Sequence, residues 1–121
     1  MSYMFNDCKD LFTLDVTNFD TSNVADMSYM FSNICERLTT LDVTNFNTSN
    51  VTDMHNMFYA CYNLITIYAS DLWSTESVTS SVDMFEACFK LVGDIPYNSN
   101  YTDATYATTT GGYLTYKDNT N

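Results

Sequence analysis

The sequence predicts an α/β repeat solenoid: stacked coils that each carry a short parallel strand and about one helical turn, closed at the C-terminal end by a β-hairpin cap. Three observations predict it. A five-residue string returns every 26 or 27 residues, the four cysteines keep the same spacing, and turns must be made by Asn, Asp, Ser and Thr because the 121 residues hold only three Gly and one Pro.

Met1-Ser2-Tyr3-Met4-Phe5 recurs at Met27 to Phe31, at Met54 to Phe58 and, altered, at Ser81 to Phe85. Cys8, Cys35, Cys61 and Cys88 follow, each with a Leu three residues on, at Leu11, Leu38, Leu64 and Leu91. Leu14 to Val24 (LDVTNFDTSNV) and Leu41 to Val51 (LDVTNFNTSNV) are nearly one string. The third copy drifts between Ile67 and Val78, with Trp73 in the place of Phe19 and Phe46. Three full repeats (1–26, 27–53, 54–80) and a partial fourth (81–95) therefore make a solenoid over 1–95, leaving 96–121 as cap and tail.

Within a coil, Leu11-x-x-Leu14-x-Val16 has the period of two of a strand whose apolar side chains point one way. Met27-x-x-Met30-Phe31 has the i, i+3, i+4 spacing of one helical turn, with Asp26, and Asp53 in the next copy, placed as N-cap. A single coil buries too little apolar surface to offset the entropy of ordering its backbone, so stacking on neighbours is obligatory. At the end, the β-rich runs Thr105 to Thr110 and Tyr113 to Lys117 flank Gly111-Gly112, the pattern of a hairpin that would cover the last coil.

Composition excludes several function classes. Four Lys+Arg against fifteen Asp+Glu give a formal charge of −11, which opposes a phosphate backbone and argues against a nucleic-acid partner. No apolar run approaches the roughly 18 residues of a membrane span. One His, no Gly-rich phosphate loop and carboxylates scattered at repeat spacing offer no catalytic constellation and no cofactor motif, so the chain is expected not to be an enzyme.

The string Met-x-x-Met-Phe-x-x-Cys-x-x-Leu-x-x-Leu-Asp-Val-x-x-Phe-x-x-Ser-x-Val, at Met1 to Val24 and again with one insertion at Met27 to Val51, resembles the BspA-like leucine-rich-repeat surface proteins, in particular their roughly 25-residue MSYMF repeat class. The stretch from Cys88 through YTDATYATTTGGYLTYK is similar to the segment that ends such arrays. Tyr68 in place of Asp and Ser81 in place of Met depart from that pattern. The resemblance implies leucine-rich-repeat-like coils in a bacterial protein that is secreted or held at the cell surface, with an export signal outside this sequence. It also implies adhesion to a host or microbial surface protein or glycan, and it carries no catalytic residues.

The candidate binding face is the set of residues alternating with the buried strand positions: Thr13, Asp15, Thr17, Thr40, Asp42, Thr44, Thr66, Tyr68 and Ser70. The competing reading is a polar ladder that only keeps the sheet soluble. A Ca²⁺ bridging Asp15 and Asp42 would need about six oxygens, and no metal is required. Cys8, Cys35, Cys61 and Cys88 form an internal ladder; coils stacked about 4.8 Å apart hold Cβ atoms beyond the roughly 3.8 Å a disulfide prefers, which favours thiols over disulfides. Phe5, Phe31, Phe58 and Phe85 belong to the core, while Tyr3, Tyr29, Tyr59, Tyr62, Tyr97, Tyr101, Tyr106, Tyr113 and Tyr116 are a candidate aromatic patch. His55 replaces a repeat Ser and is expected to be solvated on its helical turn. Sequons at Asn47, Asn50 and Asn100 matter only if the source glycosylates. A second function class stays open beside adhesion: coils docking end to end, the uncapped first coil of one chain on another, to build a filament or surface layer.

Overall fold

The computed structural model describes residues 1–6, 14–33 and 37–118. The arrangement is small, β-rich and mostly non-helical. Three short strands, β1 (Thr40–Asp42), β2 (Thr66–Ala69) and β3 (Leu114–Tyr116), form a parallel sheet in the order β1-β2-β3. Equivalent residues of successive copies pair across it, Thr40 with Thr66, Leu41 with Ile67 and Asp42 with Tyr68. Leu41, Ile67 and Leu114 point inward and are fully buried, as strand alternation requires.

The interior is a set of columns, one residue per copy. The rings of Phe5, Phe31, Phe58 and Phe85 stack with centroids 5.7, 5.6 and 5.5 Å apart and planes within 9° of parallel. Met27, Met54, Met30, Met57 and Met84 are buried beside them. These flexible thioethers fill the gaps that a column of flat rings leaves.

The Met-x-x-Met-Phe stretch is not a helical turn, and no α-helix occurs among the described residues. The residue before the second Met lies in the left-handed region in every copy, at Tyr3, Tyr29, Asn56 and Asp83, with φ between 55° and 61°. Asn33, Ala60 and Ala87 repeat this four residues later. The backbone therefore runs as consecutive β-turns. Met30 N–H bonds back to Met27 O and Ser32 N–H to Tyr29 O, while the intervening N–H groups point sideways. Met27, Tyr29, Phe31 and Asn33 donate to Asp53, His55, Met57 and Tyr59, and the third copy repeats this towards the fourth. A left-handed turn costs a non-glycine residue roughly 1 kcal/mol or more, so it persists because the neighbouring copy collects the amide it turns outward. The i, i+3, i+4 apolar spacing is real but serves a different backbone. Asp26 does cap its turn, its Oδ1 accepting from Ser28 N–H at 2.9 Å and Ser28 Oγ at 2.7 Å.

The expected terminal hairpin is also overturned. Ala104–Tyr106 is a single 3-10 turn, Thr105 to Thr110 form no strand, and β3 pairs with β2 in parallel, Ile67 opposite Leu114. The edge of β2 is where a following copy would pair, and β3 occupies it from a distance. Val92 instead makes an isolated antiparallel bridge with Pro96. Gly112 is closely packed, and a Cβ there would lie 2.4 Å from Thr108 Oγ1 and 2.5 Å from Tyr106 O, so only glycine fits. Tyr113, expected at the surface, is fully buried. Its ring closes the phenylalanine column edge-on to Phe85 at 5.1 Å, and its hydroxyl donates to Tyr101 O at 2.7 Å. Burial pushes that phenol above its ordinary pKa.

If the column is the core, truncation in its middle must be felt far more than truncation of a surface ring. Phe58→Ala is expected to lower unfolding free energy by about 3–5 kcal/mol. Phe89→Ala, at a ring 64% exposed, should cost less than about 1 kcal/mol. Urea midpoints for both variants test this.

Candidate functional site

The predicted strand face divides on inspection. Asp15, Thr17 and Thr40 are exposed, and Asp42, Thr66 and Tyr68 are half-exposed on the outer side of the sheet. Thr44 and Ser70 are buried and leave the candidate set. The reason is local: beyond Asp42 and Ala69 the chain turns inward, so strand alternation no longer applies. Ser70 Oγ donates to Thr44 O at 2.6 Å, joining two copies from inside. Thr13 lies outside the described residues.

The outer face carries organised charge. Thr17 N–H and Oγ1 both donate to Asp15 Oδ1, at 3.0 and 2.6 Å, and hold its carboxyl below the usual range. Asp42 is different. Burial alone would raise its pKa, but the Lys117 ammonium at 2.7 Å and hydrogen bonds from Thr44 outweigh that, and the net shift is downward. Lys117 is raised in turn, chiefly by Asp42, and its Nζ stands 5.4 Å from the centre of the Tyr68 ring. Asp42 on β1, Tyr68 on β2 and Lys117 just after β3 thus form one cluster across the sheet. Lys117 was invisible as a partner in the sequence, because a hairpin would have carried it elsewhere. With Lys117 on Asp42 Oδ2, a cation bridging Asp15 and Asp42 would have to displace an ion pair. Among the described residues no group of three or more His, Cys, Asp or Glu is placed to hold a metal ion.

Cys61 and Cys88 are buried, and each Sγ donates to a carbonyl of the preceding copy, Phe31 O at 3.1 Å and Phe58 O at 3.0 Å. Cys8 and Cys35 lie outside the described residues. His55 sits on a β-turn rather than a helix, half-buried, with Nδ1 2.5 Å from Asp53 Oδ1 and its ring edge-on to Tyr29.

The tyrosines do not form one patch. Tyr29, Tyr59, Tyr97 and Tyr106 are half-buried, while Tyr3, Tyr62, Tyr101 and Tyr116 are exposed. A second apolar surface combines one of these, Tyr62, with three residues that the tyrosine count did not single out, Ile65, Phe89 and Val92. Phe89 stacks on Tyr62 at 5.8 Å, and Val92 N–H bonds to Ile65 O. All four side chains are 41–64% exposed. The signal lay in comparing copies: the residue after Cys is Lys9 and Glu36 in the first two but Tyr62 and Phe89 in the last two, and the residue after the next Leu is Phe12 and Thr39, then Ile65 and Val92, so only the last two copies are apolar at both positions. Isolated exposed apolar side chains are ordinary; adjacent ones confined to two copies are not. Among the described residues no helix is long and apolar enough to cross a membrane.

The ion pair sets a pH dependence. Asp42, with its pKa depressed on folding, adds stability above about pH 3.9 that is lost as pH falls through the folded value. Lys117, raised on folding, adds stability below about pH 10.4 that is lost as pH rises through its folded value. In Lys117→Met the carboxyl titration of Asp42, followed by NMR, should move to higher pH.

No curated protein and no solved structure matches the chain. The family described as "Mycoplasma protein of unknown function, DUF285" matches residues 1–110, pairing with the repeated copies and most of the segment that follows them. On that match, the chain belongs to the DUF285 family.

Proposed function

We propose that this chain is a BspA-like, leucine-rich-repeat-type solenoid that acts without catalysis as an interaction module at a bacterial cell surface, adhering to a host or microbial surface protein. One observation carries the reading: the exposed apolar side chains of Tyr62, Ile65, Phe89 and Val92 in the last two copies, with Phe89 stacked on Tyr62, where the first two copies place Lys9, Phe12, Glu36 and Thr39. Aromatic side chains flanked by polar ones are the groups that anchor protein interfaces. The patch adjoins the start of the strands, so the outer face of Thr40, Asp42, Thr66 and Tyr68 would form its polar rim. Membership of a repeat family and the BspA-like string support the placement at the cell surface.

End-to-end assembly into a filament or layer is the weaker reading. Two of the fourth copy's outward donors are already engaged, Phe85 N–H by Thr102 O and Ala87 N–H by Tyr97 Oη, and a second chain would have to displace that segment.

Arrays of extracellular-matrix proteins, microbial surface proteins and glycans, probed with the chain and with Phe89→Glu, test the proposal. The expected result is a protein partner whose binding falls at least tenfold in the variant while its circular dichroism is unchanged. Binding of nothing on any array, or binding indifferent to Phe89, would sink it.

A further inference from the structure

A threonine recurs in each copy just after the Phe/Trp position: Thr21, Thr48 and Thr75. In the first two copies its hydroxyl clasps a single residue of the next copy. Thr21 Oγ1 donates to Asn47 O at 3.1 Å and accepts from Asn47 N–H at 2.9 Å. Thr48 Oγ1 does the same with Ser74, at 2.8 and 2.6 Å. A hydroxyl can do both at once, having one donor and two lone pairs. Two further bonds extend each clasp: Asn50 Nδ2 donates to Ser22 O and Thr52 N–H to Ala25 O, then Ser77 Oγ to Ser49 O and Thr79 N–H to Thr52 O.

The fourth copy loses the repeat before it reaches a residue equivalent to Asn47 and Ser74, so Thr75 has no such residue to clasp. Among the described residues nothing bonds to its hydroxyl, and nothing donates to the carbonyls of Glu76 and Thr79, the equivalents of those used in the first two copies. Two adjoining clefts, about 270 and 260 Å³, open on either side of Thr75, which lines both. Their far wall is the segment 104–110, held off by the bonds of Trp73 Nε1 to Ala107 O and Ala104 N–H to Ser81 Oγ. In a chain of net charge −11, none of the residues lining either cleft is charged.

We propose that this groove binds an uncharged, extended peptide segment of another polypeptide, one residue of which gives both its N–H and its C=O to Thr75. The site is separate from the apolar patch and does not rest on that patch's role. Extended backbone is required because the N–H and C=O of one residue point to the same side only in a strand-like conformation. An acetamido sugar fits less well, since the N–H and C=O of one trans amide point in opposite directions. The absence of charge on the walls selects against charged side chains, which would be desolvated without a partner.

The chain itself supplies the probe. Residues 47–52, Asn-Thr-Ser-Asn-Val-Thr, are uncharged and occupy the equivalent place on the first copy. The acetylated and amidated hexapeptide, titrated into the full protein, is followed through Trp73, the only Trp in the chain. A saturable change in emission is expected. Thr75→Val should weaken it about tenfold or more, and Thr75→Ser should keep it within about threefold. N-methylation of the peptide's first Asn, which leaves the protein untouched, should weaken binding as Thr75→Val does. No saturable change up to millimolar peptide, indifference to both Thr75→Val and the methyl group, or a Thr75-dependent response to chitotetraose but not to the peptide would each overturn the proposal.

Discussion

The fold depends on one arrangement of the main chain: in each of the first three copies, alternate amides are turned sideways and bonded to the carbonyls of the next. Tyr29, Phe31 and Asn33 cannot satisfy these groups within their own turn, because the left-handed conformation of Tyr29 and Asn33 aims them outward. A lone copy would expose the amides and keep the backbone strain. Two copies in register remove both penalties and place Phe on Phe and Met beside Met. Packing in the columns follows from this backbone registration, since a one-residue slip would take every ring out of its stack. The cysteine Sγ–H groups and the threonine clasps add side-chain ties between the same pairs of copies.

The repeat itself was fully readable from the sequence, and so was the direction in which most of its side chains point. Phe31, Phe58 and Phe85, Leu41 and Ile67, and the pairing of equivalent residues follow from periodicity. What periodicity left ambiguous was the backbone beneath it. Met-x-x-Met-Phe buries the same side chains whether it is a helical turn or two linked β-turns, and a Tyr or Ala with positive φ carries no sequence mark, unlike a Gly. The end of the chain was misread for a related reason. Gly111-Gly112 is a strong local turn signal, but the vacant edge of β2 is a long-range feature, and it recruited Leu114–Tyr116 into a parallel pair.

The surface was harder to read because its information lies in differences between copies rather than in what they share. The buried state of Thr44 and Ser70 depends on where the strand stops, which alternation alone does not specify. The ion pair of Asp42 with Lys117 joins residues 75 positions apart and follows only once β3 is known to be parallel. The apolar patch, by contrast, was within reach, since aligning the residues after each Cys and each Leu exposes the change from Lys9 and Glu36 to Tyr62 and Phe89.

The sideways amides have a consequence for how such a protein changes over time. Cohesion resides in main-chain groups, which every residue type possesses, and in a few inward columns. The outward positions are then almost independent of one another, so a new recognition surface can arise by exchanging single side chains in one copy while its neighbours keep the frame intact.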